Sequence, residues 1–444
     1  DATRAPNPRN FGRPRRIITV SLSRMAEDDT SPSQQPLTGA PTKPRMVVPD
    51  VARGLALLGI AIANLPTAWL TPGAPEAAFF GSINNVFDQI LVVASAMFAH
   101  NRGLPLFSTM LGFGVGLIAM SLWRKQFPAK RARQIIIRRY FFLAIFGAVH
   151  LIFIFYGDIM FYYGLTGIII GLLLTVRDKV LAVTSYVVLG IVTTGGLLLL
   201  VWGLLSGTDM SAVTEGGRIE DFDTSSYLGL LGFNAVTFVL NFLSYPVYIL
   251  GYAPIMLIGF TWARRGVLAD VPAHRKELSF WAVIGVVYIL GIGLPWGLAE
   301  IGVLPRELAP TFLTTNLFTG GITGPALLAI FALALQPVQE RADRGPKPSV
   351  WLQIPMALGK RSMSGYLFQS LAFFVLCYPV ALGITPESVS AQVGLAFGVW
   401  TVSLILAWLM EAVNMQGPFE KMHRRLSYGS TLQPELHKKG SNKK

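Results

Sequence analysis

The sequence predicts an all-α fold, a polytopic transmembrane helical bundle of about ten spans with both termini cytoplasmic, and three observations predict it. The 444 residues are 52% hydrophobic and only 14% charged, with a mean hydropathy of +0.52, far from the balance of a soluble domain. The charges cluster between apolar runs, several of which reach the roughly 20 helical residues needed to cross about 30 Å of hydrocarbon. Alternate connections between these runs are rich in Lys and Arg, as cytoplasmic loops are.

Residues 1–45 are polar and rich in Pro, Ser, Thr and Arg, with no apolar core for a signal peptide, and read as a flexible cytoplasmic tail. Met25 opens "MAEDDTSPSQQ", which leaves open whether the first 24 residues are an upstream extension. The membrane domain covers 46–428, and 429–444 reads as a basic cytoplasmic tail. Within the domain, apolar runs predict spans near 47–70, 103–123, 137–156, 158–176, 180–205, 243–263, 279–299, 311–336, 354–380 and 389–413. Segments 84–102 and 224–244 are apolar but interrupted, which fits helices lying on the outer surface or re-entering from it.

The basic connections hold Arg124, Lys125, Lys130, Arg131, Arg133, Arg138 and Arg139, then Arg177 and Lys179, then Arg264, Arg265, Arg275 and Lys276. The connection holding Glu215, Glu220, Asp221 and Asp223 is acidic and falls on the outer side. The net charge of +13 therefore reflects membrane orientation, and no zinc or base-stacking module accompanies it, so nucleic acid is not an expected partner. The single cysteine, Cys377, lies in an apolar run; it offers no intrachain disulfide and no cysteine-based metal cluster, and no metal site is expected.

Polar residues inside the apolar runs are the functional candidates, because such groups are costly in the membrane and face a partner or a cavity. Counting about 1.5 Å per residue from Arg139 places His150 roughly 16 Å into the bilayer. Asn64, 14 residues beyond Asp50 on the first span, reaches a similar depth, and Asp158 falls at the turn between spans three and four. Each also has a plainer reading: His150 donating to a carbonyl, Asp158 capping a helix, Asn64 joining two helices. On one ideal helix His150 and Asp158 would stand about 12 Å apart, so a bond between them requires the helix to break at Gly157. The glycines at 112, 114 and 116, and at 164, 167 and 171, fit close helix contact better than a phosphate loop. The seven cations between Arg124 and Arg139 read either as a solvated loop or as a cradle for phosphates.

Five blocks carry a family resemblance: "DVARGLALLGIAIAN" (50–64), "LFSTMLGFGVGL" (106–117), "RRYFFLAIFGAVHLIFIFYGDIMFYYGLTGII" (138–169), "GKRSMSGYLFQS" (359–370) and "QGPFEKMHRRLS" (416–427). In this order they resemble YeiB-like bacterial membrane proteins, a family grouped with transmembrane acyltransferases such as heparan-glucosaminide N-acetyltransferase. The resemblance implies a protein of the bacterial inner membrane that moves an acyl group from cytoplasmic acyl-CoA, acetyl-CoA foremost, to a glycan, lipid or small metabolite at the outer face. Arg53, Gly54 and Asn64 are similar to that enzyme's pattern, in which the asparagine belongs to the active site. Its catalytic histidine has no counterpart in "LPTAWLTPGAPEAAFF" (65–80), so His150 or, second, His100 takes that place. On this reading His150 is the base or acyl carrier, Asp158 orients it and Asn64 stabilises the oxyanion. Arg138, Arg139, Arg131 and Arg53 would hold the donor's phosphates, and Asp88, Arg102, Tyr366 and Gln369 would position the acceptor. Membrane lipid and a second copy of the chain are the remaining candidate partners. A different class, a small-molecule transporter or non-catalytic membrane subunit, uses the same polar residues for proton coupling or helix pairing, but no internal repeat supports it.

Overall fold

The computed structural model describes residues 45–70, 79–207, 210 and 224–435, and it is helical apart from connecting segments. The expected tail at 1–44, the acidic residues at 215, 220, 221 and 223, and the end of the basic tail from 436 lie outside the described residues. In chain order the helices are α1 (Val47–Asn64), α2 (Val86–Phe98), α3 (Gly103–Arg124), α4 (Ala129–Phe153), α5 (Met160–Leu172) and α6 (Asp178–Ser206). They continue with α7 (Tyr227–Arg265), α8 (Arg275–Tyr288), α9 (Leu294–Glu300), α10 (Ala309–Thr319) and α11 (Thr323–Ala334). The chain then forms α12 (Gln336–Asp343), α13 (Val350–Lys360), α14 (Ser362–Cys377), α15 (Val389–Ala412) and α16 (Pro418–Tyr428).

Eight helical runs among the described residues are long and apolar enough to cross a membrane. Two expected spans are shorter than the sequence predicts. Segment 158–176 yields the 13-residue α5, because Gly157 and Asp158 belong to a turn rather than to helix. Segment 354–380 is interrupted at Arg361, whose φ of −118° and ψ of 31° separate α13 from the 16-residue α14. Segment 224–244 is no separate outer helix: it is the first half of the 39-residue α7, which continues through Pro246 and Pro254. Proline is tolerated inside such helices because neighbouring groups satisfy the freed carbonyls.

The bundle closes through glycine contacts. A Cβ on Gly112 of α3 would lie 1.8 Å from the Met256 carbonyl of α7, and one on Gly164 of α5 would lie 2.4 Å from the Ala144 nitrogen of α4. Small residues are the usual means of close helix approach in a membrane, where no hydrophobic force draws helices together.

The break between α2 and α3 at residues 99–102 shows how irregular backbone is accommodated inside the bundle. The buried Arg102 donates to the carbonyls of Met97 and Asn101 and, at 2.6 Å, to Asn316 Oδ1 of α10. Helix carbonyls left open by the turn thereby find donors without water.

Candidate functional site

The site grows from the end of α4. Its helix stops at Phe153, and the amides of Ile154 and Phe155 both donate to the His150 carbonyl at 2.9 Å. The carbonyls of Ile152 and Phe153 accept from Asn234 Nδ2 and the Tyr227 hydroxyl of α7. Phe155 stacks on Trp69 at 4.1 Å with the rings 9° apart, which pins the turn to the end of the first span. The chain then reverses, and Asp158 Oδ1 accepts from the Phe161 amide to start α5.

That reversal places Asp158 Oδ2 2.7 Å from His150 Nδ1, with both side chains buried. Asp158 thus caps a helix and holds the imidazole at once. A carboxylate at Nδ1 fixes the proton there and leaves the lone pair on Nε2. His150 Nε2 is buried and has no hydrogen-bond partner among the described residues. An imidazole held in this way is a ready proton acceptor aimed at whatever enters beside it.

Two cavities flank the pair. One, of about 420 Å³, lies towards the basic end of the bundle, between α1, α3, α4, α13, α14 and α16. Six cations line it (Arg45, Arg53, Arg139, Lys360, Arg361 and Arg424) against one carboxylate, Glu420, so it favours an anion. Three of the six are already committed: Arg45 to Asp50 at 2.5 Å, and Lys360 and Arg361 to Glu411 at 2.5 and 2.7 Å. Arg53 stands 3.9 Å from Asp50, and Arg139 and Arg424 have no carboxylate within 4.0 Å among the described residues. The cavity's far wall is Ile159, Met160, Tyr163 and Tyr366, and the Tyr366 ring lies 5.5 Å from that of His150. The second cavity, about 330 Å³, is almost wholly apolar and is walled by His150 itself with residues of α4, α14, α15 and α16.

The sequence candidates separate accordingly. His150, Asp158 and Tyr366 gather at one point, and Arg53 and Arg139 line the cationic cavity. Arg138 is exposed, donates to the Leu426 carbonyl and does not line the cavity that its neighbour lines, adjacent helix positions lying about 100° apart around the axis. Arg131 lies two turns further back on α4 and lines neither cavity. Asn64 closes α1, half-buried, and also lines neither.

Asp88 accepts from the amides of Asn84 and Ser390 and from Asn85 Nδ2, stapling α2 to the start of α15. Arg102 is spent on the α2–α3 break. Gln369 donates to Ser403 Oγ at 3.0 Å and ties α14 to α15. His100 is caged by Phe79, Phe80 and Trp296, at ring distances of 5.8, 4.8 and 5.5 Å, with no carboxylate against it among the described residues.

Sequence reasoning gave no role to α16, which closes the cationic cavity. Glu420 accepts from the Met363 and Ser364 amides and the Ser364 hydroxyl at the start of α14, and His423 Nε2 donates to the Arg139 carbonyl at 2.8 Å. Burial, with the Arg139 charge beside it, pushes His423 down to about 3, so it stays neutral. The available signal was the spacing of Glu420, His423 and Ser427, which puts all three on one face of a short helix.

The fold and site define a polytopic helical membrane protein with a buried His–Asp pair between a cationic and an apolar cavity. Residues 262–430 match the family described as "Protein of unknown function (DUF418)". The chain is 24% identical over 416 residues to the uncharacterized protein YxaH of Bacillus subtilis (strain 168), covering 87% of this chain and 95% of that protein. It is 25% identical over 409 residues to the uncharacterized protein YeiB of Escherichia coli (strain K12), covering 86% and 96%. The chain is thus similar along most of its length to YxaH and YeiB, in line with the resemblance its five blocks carry. No solved structure matches it.

Proposed function

We propose that this protein is a membrane acyltransferase that accepts acyl-CoA in the cationic cavity and uses His150 as its base. The observation that carries the reading is the 2.7 Å contact between His150 Nδ1 and Asp158 Oδ2, with Nε2 left unpartnered a ring's distance from Tyr366 in the cavity wall. Phosphates suit the guanidiniums of Arg139 and Arg424, which have no carboxylate within 4.0 Å among the described residues, and that of Arg53, whose contact with Asp50 is a long 3.9 Å; charge-assisted bonds to guanidinium are the strong ones. A cavity of about 420 Å³ lies in the size range of ligand sites and takes part of so long a donor, the rest staying at the mouth.

His150 Nε2 takes the proton of an acceptor hydroxyl or amine as the acceptor oxygen or nitrogen bonds to the thioester carbonyl carbon. The resulting imidazolium is held by the Asp158 carboxylate at Nδ1, as in other His–carboxylate pairs. The carbon–sulfur bond then breaks, CoA leaves as thiolate, and the proton on Nε2 passes to that sulfur. The basic loops at the cavity's end support a cytoplasmic donor, and the bacterial relatives support the inner membrane.

The test is a thermal shift of detergent-purified protein with CoA. Stabilisation in the wild type that is lost in Arg53→Gln/Arg424→Gln supports the donor site. No shift at saturating CoA in a folded protein contradicts it.

A further inference from the structure

The apolar cavity beside His150 is a separate feature of the site. Its wall is built from Phe146, Val149 and Ile154 of α4 and its end, Leu367, Phe368 and Leu371 of α14, and Leu406, Ala407 and Met410 of α15. Val149 and Leu371 are 52% and 51% exposed on the outside of the bundle, so the cavity opens sideways into the hydrocarbon layer. It adjoins the cationic cavity: Arg361 lines both, and the ring of Tyr366, which lines one, lies 5.5 Å from that of His150, which lines the other.

From this geometry we infer that the apolar cavity holds the alkyl chain of the donor's acyl group, so that the preferred donor is a medium- or long-chain acyl thioester and acetyl-CoA is a poor one. The inference rests on the acyl-CoA reading above and specifies its substrate. A polar headgroup is a poor occupant, because the polar side chains of the wall are only His150, at the end beside the cationic cavity, Ser364, Ser403 and Arg361. Arg361 is spent on Glu411 and the Ala357 and Met415 carbonyls, Ser364 on Glu420, and Ser403 on the Trp400 carbonyl. A buried headgroup without partners is costly, whereas each methylene added to a chain gains on leaving water. The sideways opening lets a chain longer than the cavity continue into the membrane. Phosphates among the arginines and chain beside His150 place the thioester between them, at His150 Nε2.

The experiment compares equilibrium binding of CoA, acetyl-CoA, decanoyl-CoA and free decanoate to the purified full chain, in the wild type, in Ala407→Phe and in Leu371→Trp. Ala407→Phe fills the cavity from within; Leu371→Trp narrows it from the exposed edge and spares the core if the first variant misfolds. The expected result is decanoyl-CoA bound at least about tenfold more tightly than acetyl-CoA, with that gain lost in either folded variant. Equal binding of the two thioesters, or a chain-length gain that survives both substitutions, overturns the inference while leaving the donor site standing. Decanoate binding that the variants abolish, without any binding of CoA, supports the chain cavity and overturns the donor reading instead.

Discussion

His150 and Asp158 are eight residues apart in the chain, and their side chains meet at 2.7 Å because α4 ends between them and the backbone doubles back into α5. The same carboxylate starts α5 through the Phe161 amide. One residue therefore starts a helix through Oδ1 and holds the imidazole through Oδ2, and the two contacts are separable by substitution.

Asp158→Asn keeps an oxygen for the Phe161 amide and turns its NH₂ towards His150 Nδ1, which moves the imidazole proton to Nε2 and removes the base. Thioester turnover is expected to fall by about 10²–10⁴-fold with CoA binding retained. Asp158→Ala also removes the cap and is expected to lose a further ~1 kcal/mol of stability. Parallel turnover and unfolding measurements check this; full activity in a folded Asp158→Asn protein contradicts the pairing.

The α4–α5 hairpin that makes the reversal depends on close approach. A Cβ on Gly147 would lie 2.0 Å from the Phe161 nitrogen, whereas one on Gly195 of α6 meets nothing within 4 Å. Gly147→Ala is expected to destabilise by about 1–3 kcal/mol, and Gly195→Ala to be neutral or slightly stabilising. Thermal unfolding of the two variants in the same detergent decides it, and an equal response contradicts the packing argument.

Arg138 and Arg139 are neighbours in sequence with opposite surroundings, one exposed and one in the cavity wall. Arg139→Gln is expected to weaken CoA binding by about 10–100-fold, the value of a charged hydrogen bond, and to flatten its salt dependence. Arg138→Gln is expected to leave the affinity within about twofold on the same grounds. Titrations at two ionic strengths distinguish them, and equal losses would place the anion elsewhere.

His423 gives the fold a pH dependence. Its folded value of about 3 lies below the ordinary 6.5, so between these values the unfolded chain binds the proton more readily and stability falls as pH decreases. Above 6.5 the group is neutral in both states and contributes no slope. Unfolding scans from pH 7.5 to 4.5 are expected to show a steeper acid loss for the wild type than for His423→Gln, whose amide can still donate to the Arg139 carbonyl. Identical slopes would remove His423 as the cause.

Polar residues inside apolar runs were legible in the sequence, and residue type together with expected depth brought His150 and Tyr366 under consideration. The turn at Gly157 was legible only as a condition for the His–Asp contact, since a single glycine does not dictate a break. Azimuth was not legible. Which of Arg138 and Arg139 faces inward depends on how α16 packs against α4, and the sequence offers no view of that contact. The polar residues Asp88, Arg102 and Gln369 looked functional for the reason that makes them structural: a bundle with a broken helix and stapled ends must satisfy buried backbone and side-chain groups from within.

The central claim, that the cationic cavity delivers an acyl thioester to His150, is tested most directly in everted membrane vesicles carrying the protein. These supply native lipids and acceptors, and free CoA thiol is measured after addition of acetyl-CoA or decanoyl-CoA. The account predicts thiol release from at least one of the two that drops about 100-fold or more in vesicles holding equal amounts of folded His150→Ala. Release at the same rate in both, or none from either thioester, would contradict it.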